Sequence, residues 1–408
     1  MLVPSIDLMK GKAVQLVQGR KKVLERKNVL ALAREFNKYG EIAVIDLDAA
    51  LGRGNNEAII KKLCSIADCR VGGGIRTAAK ARRMLKAGAK KIIIGTAATP
   101  EFLKQLPKDK VIVALDFKGN KVYDQGWRNN TNALIFKKIK ELENYCSGFL
   151  CTNIEKEGMM QGIDLEIYRK LKRLTQNNLT AAGGITTASD IKALEDINID
   201  SQIGMALYTN KISLPETFIS LLNFKYDYKK QKLIATIVQD ENKNILMFGY
   251  SSRDSLLKAF KSSKAAYFSR TRNKLWTKGE TSGNFQDLIK ARYDCDRDTL
   301  LFTVKQKNAA CHLGRYSCFG RENFTLEKLY EIIRERMEKK VKGSYTASLT
   351  VGKIKNKIRE ESDELISYKN RANLVWEAAD VLYFLLALMA KKSIKLKEVM
   401  NELEGRRK

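Results

Sequence analysis

Val71-Gly72-Gly73-Gly74-Ile75-Arg76 decides the fold of the first half of this 408-residue chain, because it occurs twice. Its echo is Ala181-Ala182-Gly183-Gly184-Ile185-Thr186, which places Ile185 110 residues after Ile75. Two further matches share that interval. Asp7 in Ile-Asp-Leu returns as Asp116 in Leu-Asp-Phe, and Ile94-Gly95-Thr96-Ala97 returns as Ile203-Gly204-Met205-Ala206, each 109 residues on. Between these points run short apolar segments, Ile42–Leu47, Lys91–Ile94, Val111–Leu115 and Gly148–Thr152, which read as strands alternating with helices. Two halves of four βα units each would close as a (β/α)8 barrel over residues 1–224.

The repeat also predicts where chemistry sits. Asp7 and Asp116 end the first and fifth predicted strands, and barrel strands carry reactive groups at their C-terminal ends. The repeat sets the two carboxylates across the mouth from each other, one suited to act as base and the other, protonated, as acid. The glycine turns form two symmetric sets, Gly73, Gly74, Gly95 and Thr96 against Gly183, Gly184, Gly204 and Met205. Glycine lets backbone N–H groups approach a phosphate closely, so two sets predict a substrate with a phosphate at each end.

Residues 225–232 are polar and break this rhythm. Beyond them the chain turns strand-rich, with Leu233–Val238, Ile245–Phe248, Ala266–Ser269 and Thr299–Val304 as strand candidates, giving an α+β domain over 228–320. Three of the seven cysteines lie here, Cys295, Cys311 and Cys318, and the one histidine, His312, follows the second of them. Cys295 sits inside Asp294-Cys295-Asp296-Arg297-Asp298. Read as a strand, this alternation turns the three aspartates to one face and the thiol to the other. Thiolates suit zinc and carboxylates suit magnesium. Three cysteines leave tetrahedral zinc one position short, the form of a catalytic site open to water. Zinc lowers the pKa of such a water to about 7, and His312 is placed to take its proton. From Thr325, a predicted helix cap, residues 324–408 read as all-helical. Glu360, Glu361 and Glu364 share one helical face, and Glu377 and Asp380 repeat the pattern on the next helix. Crowded like charges of this kind predict a bound cation, here magnesium holding a phosphate substrate.

Formal net charge is +29, from 75 Lys+Arg against 46 Asp+Glu. The basic residues are scattered over the whole chain, which argues against nucleic acid as the partner and for phosphorylated small molecules. Arg270, Arg272 and Lys278 are candidate phosphate contacts. No apolar run reaches bilayer length, no membrane association is expected, and unpaired cysteines fit a reducing cytoplasm.

Three resemblances sharpen these expectations. Pro4-Ser5-Ile6-Asp7-Leu8, Val14-Gln15-Leu16-Val17-Gln18-Gly19, Val71–Arg76 and Gly126-Trp127 resemble the phosphoribosylformimino-aminoimidazole carboxamide ribotide isomerases of histidine biosynthesis. That resemblance implies an Amadori rearrangement with Asp7 as general base and Asp116 as general acid. The family often has Asp-Gly-Thr after its sixth strand, where this chain reads Glu157-Gly158-Met159 and so lacks the threonine hydroxyl. Residues 269–272, 275–276, 278–284, 294–298, 311–312 and 317–319 resemble phosphoribosyl-AMP cyclohydrolase. This implies zinc on Cys295, Cys311 and Cys318, magnesium on Asp294, Asp296 and Asp298, and a zinc site shared between two subunits. Gly343–Thr346, Lys357, the acidic set and Tyr383 resemble phosphoribosyl-ATP pyrophosphohydrolase, which implies magnesium-assisted release of pyrophosphate. Leu313 and Phe384 depart from the common threonine and histidine of the last two families. The chain is therefore expected to be a cytoplasmic enzyme of three successive steps. It is expected to be a homodimer through its second and third domains; the alternative is a bifunctional hydrolase whose barrel is inactive or serves another substrate.

Overall fold

The structure is a computed structural model that describes residues 1–17, 19, 21–320 and 324–406. Gln18 of the quoted motif lies outside the described residues. Two compact units divide at residue 320.

The first unit begins with the barrel. Its eight parallel strands are β1 (Leu2–Met9), β2 (Ile42–Asp46), β3 (Cys69–Gly72), β4 (Lys91–Ile94), β5 (Val111–Lys118), β6 (Gly148–Asn153), β7 (Asn178–Ala182) and β8 (Ile199–Ile203). Each pairs with the next, and β1 pairs in parallel with β8 through Leu2 and Ser201, so the ring closes. Closure leaves no barrel-strand edge exposed. Ile93, Ile112, Leu150 and Ala182 fill the lumen, packed by Ile45 and Ala114, so the barrel is a packed core and not a pore.

The sequence repeat reappears as geometry. Gly73 and Gly183 both take positive φ (+98° and +87°). A Cβ on Gly73 would lie 2.2 Å from the Asp46 carbonyl oxygen, and one on Gly183 would lie 2.3 Å from that of Asn153. No side chain fits either place, because each turn runs directly against the end of the preceding strand. Thr77 and Thr187 then cap the two following helices by accepting from Lys80 N and Asp190 N. The repeat extends to polar strands that hydrophobic periodicity does not show. An antiparallel hairpin, Lys12–Val17 with Lys21–Arg26, follows β1, and a second, Lys121–Asp124 with Asn129–Leu134, follows β5.

The second domain is a five-stranded sheet. Gln231–Gln239 lies between Ile245–Ser252 and a parallel neighbour, Thr299–Gln306, which in turn pairs with Gln286–Tyr293. Helix Arg253–Ser262 and a small ribbon, Ala266–Ser269 with Lys274–Thr277, complete it. The polar break at 225–232 is itself ordered, with Tyr226–Tyr228 turning back onto Gln231–Leu233.

The second domain seats on the barrel through aromatic rings. Tyr39 lies 4.7 Å from Phe260, centroid to centroid, and Phe218 packs edge-on to Phe260 at 5.4 Å. Lys290 is buried and paired with Asp68, Tyr293 donates to Glu195 at 2.7 Å, and Ala291 N donates to the Lys38 carbonyl at 2.8 Å. Residues 38–41, 68 and 195 all precede barrel strands, so this seat uses the end of the barrel opposite Asp7 and Asp116.

The second unit comprises helices Leu326–Glu338, Val351–Ile366, Arg371–Lys391 and Leu396–Gly405, with a short turn of helix at Tyr345–Ser348. Thr325, Thr350 and Asn370 cap the three longest by accepting backbone N–H bonds. Tyr330, Ile333, Ile354, Phe384, Leu386 and Met389 form its core, so the departing Phe384 is a packing residue. By length and composition Arg371–Lys391 is apolar enough to cross a membrane. It nevertheless packs Phe384, Leu386 and Met389 into this core and carries Glu377 and Asp380.

Phe260→Ala empties the centre of the aromatic seat and is expected to destabilise the first unit by about 3–5 kcal/mol. Denaturant unfolding of the full chain checks this; a loss under about 1 kcal/mol would mean that the seat contributes little.

Candidate active sites

At the barrel mouth, Asp7 is held on β1 between Val14 and Ile45 and accepts a hydrogen bond from Ser5 Oγ at 2.8 Å. Burial pushes its carboxyl up to about 6, against the opposing effect of that bond. Asp116 on β5 accepts from the Trp127 indole Nε1 at 2.8 Å. Burial raises it too, while Trp127 and Thr152 act to lower it. Trp127 reaches Asp116 from a tight turn in which Gln125, Gly126 and Trp127 all have positive φ, and its ring covers Gly19 so closely that no side chain fits there.

A third acid faces the pair. Glu157, half-buried in the loop after β6, is pushed up to about 8 by burial and by the charges of Asp7 and Asp116. A neutral carboxylic acid can donate a hydrogen bond; the neighbouring Met159 cannot. That loop is tied down at both ends, by Ile154 N to the Phe117 carbonyl and Gly162 N to the Gly184 carbonyl, each 3.0 Å. Beside the mouth, Met9, Lys10, Asp48, Arg53 and Asn56 line a cavity of about 340 Å3. Sequence reasoning missed Trp127 as the partner of Asp116, Glu157 as a third carboxyl, and Lys10 and Arg53. The first two had a signal, since both lie in stretches that the isomerase resemblance covers.

In the second domain, Asp294–Asp298 is not a strand. It is the turn between Gln286–Tyr293 and Thr299–Gln306, with Arg297 at φ +65°. Asp294 Oδ1 caps the turn by accepting from the backbone N–H of Asp298 and Thr299, both at 3.1 Å. The aspartates converge nonetheless, because a turn gathers them on its inside: Asp294, Asp296 and Asp298 each offer an oxygen within 4.8 Å of the others. Lys225 places its ammonium there, 2.6 Å from Asp298 and 3.2 Å from Asp296. Three converging carboxylate oxygens already hold one cation, the Lys225 ammonium, which makes the turn a candidate cation site.

The thiols divide differently. Cys311 is buried and acts electrostatically on Cys318, whose thiol is raised by burial first and by Cys311 second. Lys278, itself buried, feels both sulfurs, and burial lowers its ammonium. His312 is exposed, with Nδ1 4.0 Å from Cys311 Sγ. Cys295 is exposed and does not join Cys311 and Cys318 in a three-ligand cluster among the described residues. The donor set of one chain is therefore two thiols with a neighbouring cation and histidine. Arg270 stacks on Tyr250 at 4.2 Å and Arg272 on Trp276 at 5.4 Å, which holds both guanidinium groups at the surface of this domain.

In the helical unit the structure joins three of the five predicted acids. Glu361, Glu364 and Glu377 offer oxygens within 4.8 Å of one another. Glu360 is turned aside to Lys357, which bonds it at 2.7 Å and Glu361 at 3.1 Å, and Asp380 stands outside the trio. Glu361 and Glu377 are buried, and Glu377 Oε2 has no donor. Burial, then Glu377 and Glu361, raises the carboxyl of Glu364. An orphaned buried carboxylate oxygen is costly unless a cation accepts it, so this trio fits a divalent ion. Thr346 and Tyr383 hydrogen-bond each other at 2.7 Å.

Comparison with known proteins agrees with this division. A family model described as histidine biosynthesis protein matches residues 1–213, just over half of the chain. The chain belongs to that family. Its isomerase barrel is followed by a match to phosphoribosyl-AMP cyclohydrolase over 247–320 and to phosphoribosyl-ATP pyrophosphohydrolase over 326–407. An imidazole-4-carboxamide isomerase of Methanocaldococcus jannaschii is 38% identical over 226 residues, covering 52% of this chain and 95% of the relative. A histidine biosynthesis bifunctional protein of Caldanaerobacter subterraneus is 42% identical over 205 residues, covering 47% of this chain and 99% of the relative. A histidine biosynthesis trifunctional protein of Saccharomyces cerevisiae is 41% identical over 174 residues, but the chain spans only 22% of its length. This histidine biosynthesis protein thus carries three enzymatic domains that act on phosphorylated small molecules.

If the Glu361, Glu364 and Glu377 trio takes a divalent ion, magnesium is expected to raise the unfolding temperature of the helical unit, and Glu377→Gln to remove most of that rise. Thermal unfolding with and without a chelator checks it; an equal rise in the variant would place the ion elsewhere.

Proposed function

We propose that the chain performs three consecutive reactions in the reverse of their order along the sequence. The helical unit hydrolyses phosphoribosyl-ATP to phosphoribosyl-AMP and pyrophosphate. The second domain opens the adenine ring between N1 and C6 by hydrolysis. The barrel isomerises the formimino product. The observation that carries this reading is that three different family matches each cover their own set of candidate reactive side chains: Asp7 and Asp116, the acidic turn with the thiols, and the Glu361, Glu364 and Glu377 trio.

Each cluster has a role to suit. In the barrel, Asp116 gives a proton to the sugar-ring oxygen as its bond to C1 breaks, and Asp7 then removes one from C2, beside the resulting imine, the exchange that turns an aldose amine into a ketose amine. Gly73, Gly74, Gly95 and Thr96 would hold one phosphate, and Gly183, Gly184, Gly204 and Met205 the other. In the second domain, Cys311 and Cys318 would hold zinc, with Cys295 supplied by a second copy of the chain. That arrangement is supported by the separation of Cys295 from the other two thiols and by the exposure of Phe248, Leu313 and Phe319. Zinc would supply an activated water for attack on C6; His312 takes the proton, and Lys278, Arg270 and Arg272 bind phosphate. Asp294, Asp296 and Asp298 would hold magnesium. In the helical unit, Glu361, Glu364 and Glu377 would hold magnesium, which offsets pyrophosphate charge while water attacks the α–β anhydride. Exposed Val375 and Trp376 support a second copy packed against this unit too. Seven free cysteines are in keeping with a reducing, cytoplasmic setting.

A second reading keeps the two hydrolases and makes the barrel inactive or differently specific. Its motive is Met159, exposed where a hydroxyl is common in the family.

Separation of function tests the assignments. Cys311→Ala or His312→Ala is expected to stop ring opening and spare pyrophosphate release, and Glu361→Gln to do the reverse. Either variant keeping both activities would overturn its site. Because Asp7 must be ionised to act as base, isomerase kcat/KM is expected to fall about tenfold per pH unit below about 6. A profile flat down to pH 5 would remove Asp7 from that role.

A further inference from the structure

The acidic turn of the second domain is held by the barrel. Asn223, in the segment leaving barrel helix Leu214–Ser220, donates from its side chain to the Asp296 carbonyl at 2.6 Å, and its backbone N–H donates to the Arg297 carbonyl at 2.8 Å. Arg297, the residue at positive φ, reaches back to Asp196 at the end of barrel helix Ala188–Glu195, at 2.9 Å. Two residues after Asn223, Lys225 sets its ammonium against Asp298 and Asp296. Asp196, Asn223 and Lys225 all belong to the barrel and its exit segment, which a free-standing second domain would not possess.

Lys225 and a divalent cation would compete for the same oxygens. An ammonium 2.6 Å from Asp298 cannot stay while that oxygen binds a metal, because the two cations would repel at close range. Lys225 is more than half accessible and Asp298, though only a fifth accessible, opens to the same solvent, so the ammonium can swing into water at modest cost. The three aspartates by contrast are fixed by the Asp294 cap and by Asn223. We propose that Lys225 is a tethered cation of this turn, holding the three-carboxylate cluster in its metal-free form and leaving when a divalent ion enters. The exit segment of the barrel thereby sets the metal affinity of the second domain. This rests on the reading of Asp294, Asp296 and Asp298 as a metal site.

Mn2+ serves as the probe, its free concentration followed by electron paramagnetic resonance on the chelator-treated full chain. Glu361→Gln is present throughout to silence the helical trio. Asp298→Asn is expected to abolish the site in the turn. Lys225→Met is expected to bind Mn2+ about two- to fivefold more tightly than the parent, the gain from losing a competitor of exposed-pair strength. Lys225→Arg, which keeps the charge, should stay close to the parent, and the gain should shrink at 0.5 M salt as screening weakens the competitor, about 4–5 Å being the Debye length there. If Asp298→Asn loses the site while Lys225→Met binds equally or more weakly, the proposal is overturned and Lys225 only shapes the turn. If Asp298→Asn keeps the site, the metal reading fails and the proposal falls with it.

Discussion

The packing of Tyr39 on Phe260, backed by Phe218 and sealed by buried Lys290 against half-buried Asp68, is the contact on which the arrangement of the first unit depends. Aromatic side chains bury large apolar areas, and a buried ammonium left without its carboxylate would be strongly unfavourable. Both facts make the seat specific. It uses the loops that precede β2, β3 and β8, the end of a barrel that serves stability and not catalysis. The mouth with Asp7 and Asp116 is thereby left free, and the acidic turn of the second domain is brought within reach of Asp196, Asn223 and Lys225.

The barrel shows how a duplicated scaffold separates two identical groups. The two halves share their glycine turns, helix caps and hairpins, so Asp7 and Asp116 begin as equivalents. They differ in what donates to them: a small hydroxyl two residues away for Asp7, an indole from the second hairpin region for Asp116. Under the proposed assignment, different donors and a common burial would let like carboxyls take opposite roles as acid and base. Burial raises Glu157 as well, and the charges of Asp7 and Asp116 add to that rise.

Much of this was legible in the chain. Gly73 and Gly183 can be read because only glycine fits where a turn meets the preceding carbonyl, so their repetition reports backbone geometry directly. Glu361 and Glu364 can be read as neighbours because helical spacing fixes which residues share a face, whereas Glu377 joins them through the packing of the next helix. Asp294–Asp298 misled because alternation is equally compatible with a strand and with a capped turn, and only pairing beyond the segment distinguishes them. The hairpins after β1 and β5 escaped because their outward strands are polar. Tyr39 and Phe260 look in sequence like any core residues, and nothing local says that the core they fill lies between two domains. Glu360 and Asp380 fit the acidic pattern, yet Lys357 claims one and the trio leaves out the other.

A barrel that works as a third enzyme despite Met159 is what separates a trifunctional chain from a bifunctional one. The most direct measurement supplies the purified chain with phosphoribosyl-ATP, zinc and magnesium and separates the products by chromatography, since the isomerase substrate and product have equal mass. Accumulation of the rearranged ribulosyl compound is the predicted result. A reaction that halts at the ring-opened formimino compound would contradict it and leave a bifunctional hydrolase joined to a barrel of other use.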